Sequence, residues 1–413
     1  MFRTRLLQRL AVVLLLVAIL LVGIMTAAAA TADRFYVSRI IAWREADFRD
    51  FEKFPSRPVP TGPKEFSFEP APENPPEYLR TITYRRDAPD PRSPRESMAT
   101  ALDSTGGNKA KKPLDKFLAD TGTTAFLVID DDTLLYEEYF NGYDRESTQT
   151  SFSVAKSFVS ALVGIAIQEG YIGSVDDPIT KYIAELEQPA MDKITIHHLL
   201  TMSSGLKYSG EGGGGGPLGD DAKTYYDPNL RELALTVGLE VEPGRRWEYN
   251  NYHPLLLGMV LERATGRPVS TYLSQKIWRP LGMEAEGSWS LDSESSGFEK
   301  MESGLNARAI DFAKFGRLYL KRGEWDGEQV VPASWVEQST RVETTADPAD
   351  FYQYFWWVDV VEPERGRFMA RGNLGQFIYV VPDKDLVIVR LGERFGYNRW
   401  PELLHSIADK APS

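Results

Sequence analysis

From Ser153 to Gly170 the chain is almost wholly apolar or small, with Val154, Phe158, Val159, Leu162, Val163, Ile165 and Ile167 leaving no polar face. A stretch that is apolar all round predicts a helix buried in the middle of a domain, with Gly170 as its C-terminal stop. Upstream, Ala125–Ile129 and Leu134–Phe140 read as strands, and Asp130-Asp131-Asp132-Thr133 supplies the turn of a β-hairpin. The three aspartates lack the glycine and distal glutamate of a calcium loop, so the turn is the better reading. Downstream, the pattern predicts helices over 194–205, 230–238, 252–265, from Val269 towards Met283, and over 309–322. Strands are predicted over 353–361, 367–371, 376–381 and 386–391, and a closing helix over 401–410 with Pro401 in its first turn. A strand pair, a mainly helical middle and a return to strands point to one interwoven α+β unit.

The N-terminus reads differently. Arg3, Arg5 and Arg9 precede an apolar run from Leu10 to Met25, continued by Ala27–Ala30. This predicts either a membrane anchor over residues 10–30 or a signal peptide cleaved after Ala32. Both leave the rest of the chain outside the cytoplasm, on the periplasmic side. From Pro55 to Pro94 there are 11 prolines in 40 residues, which forbids regular helices and reads as an extended linker with short strands near 65–68 and 81–84. Ser104–Lys112 reads as a loop. The expected division is therefore 1–32 signal or anchor, 33–112 juxtamembrane and proline-rich linker, and 113–413 globular domain.

Composition narrows the function classes. A net charge of −12 and a pI near 5.1 argue against nucleic acid as a partner. The absence of cysteine excludes disulfides, thiolate catalysis and zinc–thiolate sites. The four histidines, His197, His198, His253 and His405, have no metal-binding spacing and read as structural, so neither metal nor cofactor is expected. Gly214, Gly216 and Gly219 formally satisfy G-x-G-x-x-G, but no strand precedes them and Pro217 interrupts them; the Gly212–Gly216 run reads as a surface loop at the site entrance.

Three short stretches carry candidate chemistry. Ser153 and Lys156 fall on one face of the buried helix, where a desolvated amine beside a hydroxyl can act as a base. Tyr249 and Asn251 project from one loop after Pro243-Gly244, a phenol for proton exchange and an amide to orient a lysine or a carbonyl. Ala370-Arg371-Gly372-Asn373 is a strand edge whose small residues let backbone N–H groups approach an acyl group. Each also has an ordinary structural reading: a helix cap, a Pro-Gly turn and a glycine-broken hairpin. No G-x-S-x-G elbow is present for a Ser-His-Asp hydrolase.

Together, Ser153-x-x-Lys156, Tyr249-x-Asn251 and the late Ala370-Arg371-Gly372 strand resemble the three motifs of penicillin-recognising, β-lactamase-related serine hydrolases. The Tyr-x-Asn form resembles class C β-lactamases. Leu199–Leu206, Glu302–Gly316 and Gly375–Gly392 look closest to the 6-aminohexanoate-dimer hydrolase branch, and the likeness runs from about Leu114 to Ala408. It implies a β-lactamase/D,D-peptidase-like α/β sandwich, an antiparallel sheet flanked by helices, with a mainly helical subdomain. It also implies that Ser153 is the acylated nucleophile, Lys156 its proton partner and Tyr249 a proton shuttle. By the same likeness Asn251 holds Lys156 and the substrate amide, and the N–H groups of Ser153 and Asn373, next to Gly372, form the oxyanion hole. Asn306 would line the pocket. The implied substrate is a small-molecule amide or ester. D-alanyl-D-alanine peptidase or β-lactamase activity, and a non-catalytic membrane-tethered binding protein, are the alternatives. One departure matters: Ala370 stands where the third motif normally has Lys or His, and Arg371 alternates to the other face of the strand. The missing basic residue argues against substrates with a carboxylate at that point.

Overall fold

The computed structural model describes residues 2–31, 34–70, 73–85, 109–186, 190–209, 216–343 and 347–412. Its centre is a seven-stranded antiparallel sheet of β1 (Thr123–Asp130), β2 (Thr133–Tyr139), β3 (Tyr352–Gln353), β4 (Trp356–Val358), β5 (Phe368–Gly372), β6 (Gln376–Val381) and β7 (Leu386–Gly392). The spatial order is β3-β4-β5-β6-β7-β1-β2, so strands from both ends of the domain meet at the β7–β1 pair. Strands β6, β7 and β1 are buried on both faces, which is why they read as nearly continuous apolar runs. Along β1, Ala125, Leu127 and Ile129 face one core while Phe126 and Val128 face the other, the period of two that a strand imposes.

One face is covered by helix α7 (Trp400–Lys410) and the helix Leu114–Asp120, through Trp400, Leu404, Phe117 and Leu118. The other is covered by α3 (Ala155–Gln168) and α6 (Ala309–Leu320), which begins a larger core shared with α5 (Tyr252–Thr265). Phe158 of α3 stacks on Phe315 of α6 with ring centroids 3.6 Å apart. The expected buried helix is therefore the pillar between the sheet and the helical region.

The hairpin turn places Asp131 and Asp132 in the left-handed region (φ 40° and 68°), a conformation that aspartate tolerates, and both pair with cations of α6 and its end, Lys321 and Arg317. The expected single strand 353–361 is instead the hairpin β3–β4. Tyr354 and Phe355 turn it through positive φ values of 39° and 66°, held by Ser157 Oγ donating to Phe355 O at 2.9 Å. The helix expected over 194–205 spans only Ile196–Leu200, with Thr195 as its cap, and that expected over 230–238 spans Leu230–Leu235.

Among its described residues the proline-rich stretch has no long helix, in keeping with its composition, and much of it docks on the domain rather than bridging free space. Ser56–Val59 is the edge strand of a second sheet, followed by Gly287–Ser290, Leu305–Ala307 and Gln149–Thr150. Val59 and Phe68 are buried in the larger core. Residues 65–68 form no strand, though Glu69 bridges to Thr133, and Thr81–Arg85 pairs with Lys109–Pro113. The loop expected at 104–112 thus ends as a strand from 109; its first part, Ala32 and Gly212–Gly215 lie outside the described residues.

At the N-terminus, α1 (Phe2–Thr31) contains a 20-residue apolar window, Val12–Thr31, long enough to cross a bilayer and almost wholly exposed. A second helix, α2 (Tyr36–Trp43), follows after four residues and packs on α4 (Asp220–Tyr226).

Candidate active site

Ser153 lies in a single tight turn, Phe152–Val154, that runs straight into α3. Phe152 takes φ 48°, a left-handed conformation that is strained for a bulky residue. Its ring is stacked on Tyr225 of α4, and the Ser151 N–H donates to Leu305 O at 2.9 Å, so the turn is held from two sides. Lys156, 1% exposed, donates from Nζ to Ser153 Oγ at 2.8 Å and to the carbonyl of Glu302 at 2.9 Å. Beneath it the Glu302 carboxylate accepts from Lys300 Nζ (2.8 Å) and Ser303 Oγ (2.7 Å), while its Oε2 is buried with no hydrogen-bond partner among the described residues. Burial lowers the pKa of Lys300, and Glu302 acts in the opposite sense.

Tyr249 lies on the same side: Lys156 Nζ stands 4.9 Å from the centre of its ring, within cation–π range. The ring stacks on Trp357 of β4 (6.0 Å, 26°), and the Arg371 guanidinium lies over Trp357 at 4.6 Å. The order is thus lysine, phenol, indole, guanidinium. Ala370 is buried in the core shared with α3 and α6, and Arg371 alternates away from it as the strand requires. Arg371 nevertheless remains electrostatically linked to Tyr249; burial pulls its pKa down to about 10 and Tyr249 acts to raise it.

Asn251 precedes α5 and donates from Nδ2 to Tyr208 Oη at 3.0 Å, rather than holding Lys156 as the resemblance implied. Its Oδ1 is buried without a hydrogen-bond partner among the described residues. Tyr208 in turn donates to Asp221 of α4 at 2.5 Å, which makes Asn251 the end of a polar chain leading to that helix.

Gly372 ends β5 where a Cβ would stand 2.4 Å from Ser151 O, so only glycine lets the strand approach the Ser153 turn this closely. Asn373 follows in a tight turn whose carbonyls at Leu374 and Gly375 accept from Arg390 Nη1 (2.8 and 2.6 Å). Arg390 is fully buried, and burial pulls its pKa down to about 9. Asn306 is not brought to the site. It is fully buried in Leu305–Ala307, donating to Ser288 Oγ (3.2 Å) and Ser290 Oγ (3.0 Å) of the neighbouring strand. In so short a strand, alternation turned its side chain into the sheet.

Ser153, Tyr249, Asn251 and Asn373 line one cavity of about 940 Å³. Its opposite wall comes from segments that no motif announced: Ile40 of α2 with Arg44, Glu45 and Ala46 beyond it, and Pro217, Ala222, Tyr225 and Tyr226 around α4. The two parts are tied by Arg39 Nη1 donating to Tyr226 O (3.2 Å) and Tyr226 Oη donating to Arg44 O (2.7 Å). The available signals were weak: Arg39 as the lone charge in Tyr36–Trp43, and Arg390 as the lone charge in Leu386–Gly392. None of the four histidines lines the cavity; His253, behind Lys156, is fully buried against Ser204 and Met202.

Residues 114–411 match the sequence model of the family described as Beta-lactamase. A 6-aminohexanoate-dimer hydrolase of Paenarthrobacter ureafaciens is 28% identical over 346 residues, 77% of this chain and 81% of its own. Esterase EstB of Burkholderia gladioli is 34% identical over a shorter span, 34% of this chain and 38% of its own. Among solved structures, a Bacillus anthracis protein provisionally assigned as a 6-aminohexanoate-dimer hydrolase superposes with a TM-score of 0.74 at 25% identity, covering 90% of this chain and 96% of its own.

Proposed function

The chain belongs to the Beta-lactamase family, and it is a serine hydrolase akin to the 6-aminohexanoate-dimer hydrolases; on that premise we propose that it cleaves an amide or ester through an acyl-enzyme on Ser153. What carries the reading is the 2.8 Å contact between Lys156 Nζ and Ser153 Oγ in a cavity that Tyr249, Asn251 and Asn373 also line. In acylation, Ser153 Oγ bonds to the substrate carbonyl carbon and gives its proton to Lys156. The carbonyl oxygen takes the electron pair and is held by the N–H groups of Ser153 and Asn373. Tyr249 passes a proton to the departing alcohol or amine, and water then attacks the acyl-enzyme by the reverse sequence.

Ala370 supports a substrate without a carboxylate beside the scissile bond, because no basic side chain occupies the position that would receive it. Arg3, Arg5 and Arg9 ahead of the exposed apolar window Val12–Thr31 of α1 support anchoring of the hydrolase outside the cytoplasm. The test is hydrolysis of p-nitrophenyl acetate by the full chain in detergent, with intact-protein mass spectrometry for the acetyl adduct. Turnover and an adduct that both vanish in Ser153→Ala, with circular dichroism unchanged, are expected. Equal turnover in the two proteins overturns the assignment.

A further inference from the structure

The wall facing Ser153 is continuous with the membrane-length helix. The apolar window Val12–Thr31 is 20 residues long, about 30 Å of helix at 1.5 Å per residue, the thickness of a bilayer's hydrocarbon. Four residues later α2 begins, and Thr31 Oγ1 and Ser38 Oγ are hydrogen-bonded at 2.8 Å, so α2 is held against the end of α1. If α1 spans, α2 lies at the interface, where Phe35, Tyr36 and Trp43 are suited to the headgroup region. From that helix Ile40 turns into the cavity, followed by Arg44, Glu45 and Ala46.

The rest of this wall is joined to α2 directly. Tyr36 Oη donates to Pro217 O, which joins α2 to the turn Gly216–Leu218, and Pro217 lines the cavity beside Ala222 and Tyr225. Around this junction three large apolar side chains face outward: Phe35 is 58% exposed, Val37 62% and Leu218 75%. On a soluble surface such exposure is unfavourable, whereas at a bilayer it supplies apolar area to insert. The cavity lining is itself largely apolar or aromatic, with Ile40, Phe152, Pro217, Tyr225 and Tyr226 among its residues.

We propose that this cavity opens onto the membrane surface and takes its substrate from the bilayer: an amphiphile whose long acyl chain is joined by an ester or amide bond. The chain enters past the rim that α2 and the 216–226 segment form together, with Phe35, Val37 and Leu218 seated in the interface and the scissile carbonyl carried inward to Ser153. The step is ordinary hydrolysis. Ser153 Oγ bonds to the acyl carbon, the bond to the alcohol or amine breaks and that group leaves with a proton, and water releases the fatty acid. This inference rests on the acyl-enzyme reading and adds the class of substrate and its route.

The experiment uses the full chain reconstituted in phosphatidylcholine vesicles, with p-nitrophenyl acetate in the water and p-nitrophenyl palmitate in the bilayer. The double variant Val37→Asp, Leu218→Asp keeps the lining and the motif residues. Its kcat/KM for the palmitate should fall at least ~10-fold, the loss expected when apolar insertion area is replaced by charge, while acetate turnover, which also reports folding, stays within ~2-fold. Palmitate turnover that is absent in the parent protein, or unchanged in the variant, overturns the bilayer route while leaving acetate hydrolysis and the acyl-enzyme reading standing. Failure of the parent protein to hydrolyse either ester overturns both.

Discussion

The wall of the cavity that carries Ser153, Lys156 and Asn373 hangs from the core, whereas the wall of Ile40, Arg44, Glu45 and Ala46 hangs from an eight-residue surface helix. On the first side Lys156 is buried in the pillar helix, Gly372 is pressed on Ser151 O, and fully buried Arg390 grips the Asn373 turn. On the second, α2 meets α4 through a few hydrogen bonds, Arg39 to Tyr226 O and Tyr226 to Arg44 O among them. Chemistry that needs atoms fixed within a few tenths of an ångström belongs on the first kind of wall. Admission of substrate tolerates the second kind. Changes to the inner wall should therefore appear in kcat, and changes to the outer wall in KM and substrate choice.

The largest contrast lies between Lys156 and Arg44. Lys156→Met should lower kcat for p-nitrophenyl acetate by about 10²–10⁴-fold, the usual scale of a lost proton-transfer group. Arg44→Ala should change kcat/KM by less than ~10-fold, and through KM, since its side chain lines the cavity without a part in the proposed proton transfers. Steady-state kinetics on both variants decides the matter. A comparable fall in kcat for Arg44→Ala would mean that the outer wall takes part in the reaction.

Arg390 tests the rigidity assigned to the inner wall. Its guanidinium donates to the carbonyls of Leu374, Gly375, Thr121 and Arg394. Arg390→Met strands several buried acceptors, and a loss of about 3 kcal/mol is expected by urea denaturation. Because two of those carbonyls belong to the Asn373 turn, kcat should fall too, without a matching change in KM. A stable variant with normal kcat would show that the turn needs no clamp.

The same contrast explains what was legible in the sequence. The inner wall could be read because its chemistry demands residue types at fixed local spacing: Ser153 with Lys156 three apart on a helix, and Tyr249 with Asn251 two apart in a loop. The strands of the sheet were legible because burial on both faces leaves uninterrupted apolar runs. The outer wall depends on contacts such as Arg39 with Tyr226, 187 residues apart, for which no local pattern exists. The prolines of 55–94 speak against long helices but say nothing of what an extended chain packs against, and Val59 proves to be fully buried. Asn306 lay in a phrase that resembles the family, yet its side chain turned into the sheet. The β3–β4 turn was missed because Tyr354 and Phe355 adopt positive φ without the glycine or asparagine that normally signals it.

Tyr225 probes the outer wall in the same currency as Arg390. Its hydroxyl donates to Asp50 Oδ2 at 2.6 Å, and burial first, then Asp50, pushes its pKa well up, so the proton stays on the phenol. Asp50 keeps other partners, Lys53 and the Asp47 N–H. Tyr225→Phe should therefore cost about 1.5–2 kcal/mol, the lower part of the roughly 1.5–3 kcal/mol range for a hydrogen bond to a charged acceptor, and less than Arg390→Met. It should raise KM for the palmitate ester more than for the acetate. Equal losses from the two variants would erase the proposed difference in rigidity between the walls.

The smallest effect expected is a pH dependence behind the inner wall. His253 is fully buried behind Lys156, and burial, reinforced by Lys156 and His198, pulls its pKa down to about 3 from an ordinary 6.5. Between those values the unfolded chain binds a proton that the folded chain does not. The stability is thus fully present above about pH 6.5 and is lost progressively as the pH falls towards about 3, at about 1.4 kcal/mol per pH unit. From pH 7.5 to 5.5 the His253 contribution should fall by about 1.4 kcal/mol. Urea denaturation at the two pH values, on the parent protein and on His253→Gln, isolates it, because every other titrating group is common to both. The variant should lose less stability than the parent over this interval, by about that amount. Parallel losses would mean that His253 accepts a proton in place, and that the core behind Lys156 is less dry than its packing implies.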